Sequence, residues 1–248
     1  MELIYHNESF KLQDVGFPLK DIHIVDNWLP IQLHHWIDNA ISHSRIWAKS
    51  NQVTGNSKTG LPHHQFWGAG LFDNGRRGSK YSYPDFAADI HKDNCLSLIQ
   101  IRAAARYLDK KLQTDFGFMW ERFQYMGLNS QTQGLHGTTH ADCQEEDEWN
   151  LSFLYYTNKI WSEHWGGPLR IYDEMQQGLH GRANHIKNHQ IAEIEFKPNR
   201  LVIFDGRIPH GADAPTPEAR YIDRKSIVIR GDEIRLVKDE EFFKQCPR

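Results

Sequence analysis

The sequence predicts an α+β fold in which helices come first and pack outside an antiparallel sheet or barrel of short strands. Three observations predict it. Two segments of the first half carry apolar residues three and four apart, the helical period. After about residue 115 the period falls to two, in runs separated by Gly, Pro, Asn and Asp. Helices followed by strands, rather than alternating with them, suit an antiparallel sheet with helices on one side. The 248 residues fit one such domain, with a core that needs no disulfide or structural metal.

Taken in order, Ile22-His23-Ile24-Val25 reads as a short strand. Pro30 stands where a helix would begin, a place that suits its fixed φ and missing N–H. Leu33, Trp36, Ile37, Ala40, Ile41 and Trp47 continue at mostly helical spacing. Residues 50–84 read as a loop, broken by Gly55, Gly60, Gly68, Gly70, Gly75, Gly78, Pro62 and Pro84. Its aromatics interleave with charge, so it is expected to act as a mobile lid whose Trp67, Arg76 and Arg77 touch a ligand. Residues 94–112 form a second helix, with Leu98, Ile101, Arg102, Ala105, Leu108 and Leu112 on one face. Residues 116–126 begin the strand-rich part, and further strands are expected at 151–156, 169–172, 191–196, 201–204 and 226–229. The expected organisation is one domain over 1–248, with a helical part at 1–115 and a strand-built core at 116–237.

Composition narrows the function classes. Lys and Arg number 29 against 32 Asp and Glu, a net charge of −3, so no nucleic-acid partner held by phosphate contacts is expected. No run of about 18 apolar residues is present and the first residues do not read as a signal peptide, so no membrane partner is expected. Three scattered cysteines, Cys95, Cys143 and Cys246, suit a reducing compartment, and the expected location is cytoplasmic.

The most informative segment is His140-Ala141-Asp142. In a strand, side chains two apart share a face, so an imidazole and a carboxylate would converge on one cation. His210 is the best third ligand, 68 residues after Asp142 and just behind the apolar run Leu201-Val202-Ile203-Phe204. Two histidines and a carboxylate on one side of a metal leave positions open, the facial triad of non-haem Fe(II) oxygenases. The same donors also hold Zn²⁺ in hydrolases.

Ordered blocks surround these residues: Glu121-Arg122-Phe123-Gln124-Tyr125, Phe153-Leu154-Tyr155-Tyr156-Thr157-Asn158, Trp165-Gly166-Gly167-Pro168-Leu169, Lys197-Pro198-Asn199-Arg200-Leu201, Ile208-Pro209-His210 and Arg224-Lys225-Ser226-Ile227. From about residue 123 to 230 the chain resembles the prolyl-4-hydroxylase-like branch of the iron(II)/2-oxoglutarate-dependent dioxygenases. The resemblance implies a double-stranded β-helix, or jelly-roll, core. It implies Fe(II) held by His140, Asp142 and His210, with 2-oxoglutarate as cosubstrate and O2 as oxidant. The implied reaction hydroxylates an unactivated C–H bond, of a prolyl residue in a peptide or of a free amino acid or other small molecule, and releases succinate and CO2. With a carboxylate at Asp142, halogenation is not expected.

The resemblance also implies a basic residue for the 5-carboxylate of the cosubstrate. Arg220, 10 residues after His210, lies close to the commoner family distance, and Arg224 lies 14 after it. Strand phase favours Arg224, because Ser226 then shares its face, whereas Arg220 stands in a loop-like stretch. Tyr156 matches the family's phenol donor, and Tyr125 and Arg122 are expected to line the same cavity, Tyr125 on the cosubstrate and Arg122 on the substrate. Gly166-Gly167-Pro168 reads as a turn with a structural role, and Asn150-Leu151-Ser152 as a glycosylation-like triplet without meaning. A non-catalytic, cupin-like binding protein is the alternative. It leaves the intact triad and its companion arginine without a purpose.

Overall fold

Apolar alternation builds this molecule from the middle of one sheet outward. A computed structural model describes residues 1–43, 47–52, 65–73, 96–137, 139–142, 150–173 and 190–238. Its strands are β1 (Leu3–His6), β2 (Ile22–Val25), β3 (Ala48–Gln52), β4 (Gln65–Asp73), β5 (Phe118–Gln131), β6 (Asn150–Tyr156), β7 (Leu169–Tyr172), β8 (Gln190–Ile194), β9 (Leu201–Asp205), β10 (His210–Ala212) and β11 (Arg224–Leu236). The helices are α1 (Leu12–Val15), α2 (Ile31–Ser42) and α3 (Leu96–Phe116). Eight strands form the large sheet, in the order β1-β2-β9-β6-β11-β5-β4-β3, and β10-β7-β8 form a small one. Every pairing is antiparallel except β1 with β2.

The period of two gives the large sheet two apolar faces. Leu128, Phe153, Tyr155, Ile203, Ile227 and Ile229 point to one side. There they meet Ile37 and Ile41 of α2 and Ile101, Ala105, Leu108 and Leu112 of α3. Tyr156, Val202 and Phe204 point to the other side and meet Leu169, Ile171, Ile194 and Phe196 from the small sheet and the chain beyond it. All five residues of β9 are therefore buried, as expected of a central strand with both faces covered. Two mainly antiparallel sheets around an inner core, with helices outside, are the expected α+β jelly roll.

Among the described residues of the first 115, the helices share the chain with β1 to β4, which extend both edges of the large sheet. Within residues 50–84, β4 is not a free lid. It pairs with β5 from Trp67↔Ser130 to Asp73↔Tyr125. Glycines suggested a broken chain, yet a strand accepts them where another backbone or ring comes close. Gly70 stands opposite Gly127, and the Tyr125 ring lies so near Gly127 that a Cβ there would approach Tyr125 Oη to 1.9 Å. Residues 53–64 and 74–95, with Arg76 and Arg77, lie outside the described residues, as do all three cysteines. Among the described residues no helix is long and apolar enough to cross a membrane.

Candidate metal centre and carboxylate cradle

His210 opens β10 and forms an isolated antiparallel bridge with His140, the N–H of each bonding the other's carbonyl at 2.8–2.9 Å. This bridge, rather than a continuous strand, brings the two imidazoles together, with ring centroids 4.5 Å apart. His210 Nδ1 stands 2.9 Å from the Ile208 carbonyl, which can only accept. The proton therefore sits on Nδ1, and the Nε2 lone pair is left for a ligand. Asp142 is placed by its own N–H on the Gly206 carbonyl, 2.7 Å away. Its Oδ1 lies 3.8 Å from His140 Nε2 and its Oδ2 lies 3.8 Å from His210 Nε2. One donor atom from each of the three residues falls within 4.8 Å of the others.

Asp142 is an anion. Burial pushes its carboxyl up, but Arg230, the two imidazoles and a hydrogen bond from Ser152 outweigh burial and hold it far below the ordinary carboxylate range. Ser152 Oγ donates to Oδ2 at 2.6 Å, and Arg230 Nη1 donates to Oδ1 at 2.5 Å. Two imidazole nitrogens and an ionised carboxylate facing one point are a donor set for a divalent cation such as Fe(II).

A second polar group occupies the inner face of β11. Arg224 begins the strand and is 1% exposed. Its Nε donates to the Gly167 carbonyl at 2.7 Å and its Nη1 to Gln131 Oε1 at 2.9 Å. Gln131 cannot turn away, because its Nε2 donates to the Leu135 and Ala212 carbonyls, each at 3.0 Å. Tyr156 and Phe196 stack on each other and carry the guanidinium carbon 5.0 and 4.8 Å from their ring centres. Gly167 has φ +72°, and a Cβ there would lie 3.0 Å from Arg224 Cδ. The paired glycines thus have a chemical consequence as well as a structural one: they let the backbone reach the arginine.

No carboxylate pairs with Arg224 among the described residues. Its Nη2, the Tyr156 hydroxyl and Ser226 Oγ are all buried without a hydrogen-bond partner. Ser226 and Tyr156 are cross-strand partners, so their side chains share a face, and Arg224 lies two residues before Ser226 on that face. The Tyr156 phenol and the guanidinium feel each other's charge without forming an aligned hydrogen bond. An unpaired buried cation beside two unpaired hydroxyls is unfavourable alone and suits an anionic ligand with several acceptor oxygens. A carboxylate of 2-oxoglutarate is such a ligand, and the residues fit it.

The other sequence candidates fall as follows. Arg220 is exposed, at φ +53°, and closes the short 3-10 turn Pro217–Ala219. Tyr125 is on the inner face but at the other end, with its ring 5.0 Å from the Arg230 guanidinium carbon. That puts it beside the triad, away from Arg224. Trp67 stands opposite Ser130, which stands opposite Lys225. This register puts Trp67 on the helix side of the sheet, in a surface depression with Trp47 and Tyr221, so it does not reach the inner face where the triad lies. Arg122 lies on β5, and its side chain is outside the described residues. Sequence alone gives Gln131, Ser152 and Arg230 no site role and Gly167 only that of a turn. The phase of their strands marks Ser152 and Arg230, but their partners are 10 and 88 residues away in sequence.

Residues 125–229 match the family model of the 2OG-Fe(II) oxygenase superfamily. No curated protein sequence matches the chain. Among solved structures, an oxidoreductase of the 2OG-Fe(II) oxygenase family from Burkholderia pseudomallei is similar with a TM-score of 0.51 at 12% identity, over 89% of this chain and 87% of that one. A Trichoplax adhaerens prolyl hydroxylase in complex with a peptide fragment gives 0.49 at 16% identity, over 91% and 87%. A Pseudomonas putida prolyl-4-hydroxylase gives 0.45 at 17%, over 85% and 92%. At 12% identity the likeness to the Burkholderia pseudomallei structure is one of fold. The matched stretch contains all three triad residues and the whole of the cradle, and over that stretch the chain is similar to the 2OG-Fe(II) oxygenase superfamily, whose chemistry uses Fe(II), 2-oxoglutarate and O2.

Proposed function

We propose that this chain is a dioxygenase that hydroxylates an unactivated C–H bond of a prolyl residue in a peptide or of a free amino acid, releasing succinate and CO2. The observation that carries the reading is the unpaired Arg224 with Tyr156 and Ser226 on the same sheet face as the clamp on Asp142. A zinc hydrolase or a cupin-like binding module needs the triad but gives no reason to bury that cation. Here His140, Asp142 and His210 are the metal ligands. Arg224, Tyr156 and Ser226 take the 5-carboxylate of 2-oxoglutarate, and Arg220 is not the anchor.

Bound Fe(II) supplies the redox chemistry that couples decarboxylation of 2-oxoglutarate to oxygen insertion. The protein supplies aim and exclusion of water. Gln131 and Gly167 take up two edges of the Arg224 guanidinium, so the free Nη2 edge is already turned toward a ligand before it arrives. Ile208 fixes the His210 tautomer, and Ser152 and Arg230 keep Asp142 ionised. The prolyl and amino-acid substrates are those of the branch that the motif blocks resemble.

The test is succinate formation with Fe(II), 2-oxoglutarate and O2 across a panel of peptides and amino acids. Wild type should form succinate only when all three are present. His140→Ala, Asp142→Ala and His210→Ala should each abolish it while keeping the circular-dichroism spectrum. Succinate formation that survives anaerobic conditions, or near-wild-type turnover in any triad variant, would remove the proposal or the residue concerned.

A further inference from the structure

We infer that Arg230 is a positioning residue for the metal centre, holding Asp142 in the pose that offers its carboxylate to a divalent cation. The inference rests on the metal assignment proposed above. Asp142 lies outside any strand, and its backbone is anchored through its N–H on Gly206. Its carboxylate is nevertheless pinned at both oxygens, by Ser152 Oγ at 2.6 Å and Arg230 Nη1 at 2.5 Å. Ser152 and Arg230 are direct cross-strand partners on β6 and β11. Donors from two paired strands fix the plane of the carboxylate. That plane decides whether its oxygens point between the two imidazoles.

Arg230 is itself supported. Its guanidinium carbon stands 5.0 Å from the Tyr125 ring centre, and Tyr125 lies across Gly127, where no Cβ occupies the space. The glycine, the ring and the arginine therefore form a stack that ends on the metal ligand. A cation beside a ligand also repels the metal, so Arg230 acts in two opposing directions. Orientation carries the larger effect. The Arg230 side chain is 31% exposed, which lets solvent weaken its repulsion of a more distant cation, whereas its contact with Asp142 Oδ1 is direct. Loss of one outer-shell partner of a metal ligand typically changes affinity roughly 10–100-fold.

The experiment is calorimetric titration of the full chain with Mn²⁺, without cosubstrate. Arg230→Met keeps an unbranched apolar stem but removes donor and charge, and it should bind Mn²⁺ roughly 10–100-fold more weakly than wild type. Arg230→Lys keeps the charge and one donor and should stay within about fivefold. A residue with a purely structural role would lower the unfolding temperature and leave the affinity of the folded protein unchanged. Arg230→Met binding as tightly as wild type, or more tightly, overturns the inference. If that variant does not fold, Gly127→Ala takes its place: the new Cβ moves Tyr125 from beside Arg230, weaker Mn²⁺ binding is expected, and unchanged binding overturns the inference. Wild type that binds no Mn²⁺, or a His140→Ala/His210→Ala double variant that binds it equally well, would remove the metal assignment and this inference with it.

Discussion

Replacing Gln131 with Glu should raise the 2-oxoglutarate KM by about two decades with little effect on Mn²⁺ affinity. The two side chains are isosteric, so the change is one of charge and of a lost donor. Gln131 Oε1 accepts from Arg224 Nη1 at 2.9 Å. A cosubstrate carboxylate on the free Nη2 edge would lie about two hydrogen-bond lengths from position 131, roughly 6 Å. Two unit charges at that distance repel by about 3 kcal/mol at an effective dielectric of about 20, and every 1.4 kcal/mol is about tenfold. Losing the amide donors to the Leu135 and Ala212 carbonyls also destabilises the loop end, by roughly 2–3 kcal/mol. That loss is read separately, from urea unfolding without ligand. The assay is initial succinate formation against 2-oxoglutarate concentration, at saturating metal and a temperature where the variant is folded. A KM within threefold of wild type would mean that the 5-carboxylate does not use the Arg224 edge, and the cradle assignment would fall.

Arg224→Ala should raise the 2-oxoglutarate requirement by about two to four decades, because breaking a buried charged pair typically costs about 3–5 kcal/mol; exposed Arg220→Ala should change it little, and the reverse ranking in the same titration would make Arg220 the anchor. Stability should fall in acid because of His23, which is buried with its Nδ1 2.8 Å from His6 Nε2. Burial and the neighbouring His6, only partly offset by Asp21, push its pKa down to about 4. A depressed histidine must stay neutral to fold, so its contribution is complete above about pH 6.5 and is lost as pH falls toward 4, in all about 3 kcal/mol. Urea midpoints at pH 7.5 and 4.5 measure the loss, and a His23→Gln variant with an undiminished pH dependence would exclude His23 as its source.

The parts of the fold that the sequence declares are those fixed by period and punctuation. Pro30 marks the start of α2, which runs Ile31–Ser42. The helical face of Ile101, Ala105, Leu108 and Leu112 is the face that α3 buries. The runs around 151–156, 169–172 and 201–204 are β6, β7 and β9. The β4 strand was hidden by Gly68 and Gly70, which read as breaks because local propensity cannot register that a neighbouring strand lies opposite. The length of β5 was hidden for a related reason. It runs to Gln131, past the aromatic stretch that announced it, and its last residue earns its place by holding Arg224 rather than by burying apolar surface.

The candidate site divides along the same line. Strand phase alone puts Arg224 and Ser226 on one face, and the register adds Tyr156 opposite Ser226. Residues that act by being approached are not marked by phase. Gln131 and Gly167 meet Arg224 across separations of 93 and 57 residues, and Arg230 meets Asp142 across 88. Each is a polar residue or a glycine that local sequence assigns to a turn or a solvated face. The large sheet makes the difference, because β11 lies between β5 and β6. A strand in that position borrows a neighbour from each side. Gln131 of β5 reaches Arg224 at its start, and Ser152 of β6 joins Arg230 on Asp142 farther along. The inner face of one central strand thereby carries both ends of the site. The spacing between cradle and metal ligands is then set by backbone register, which a change in any single loop would not alter.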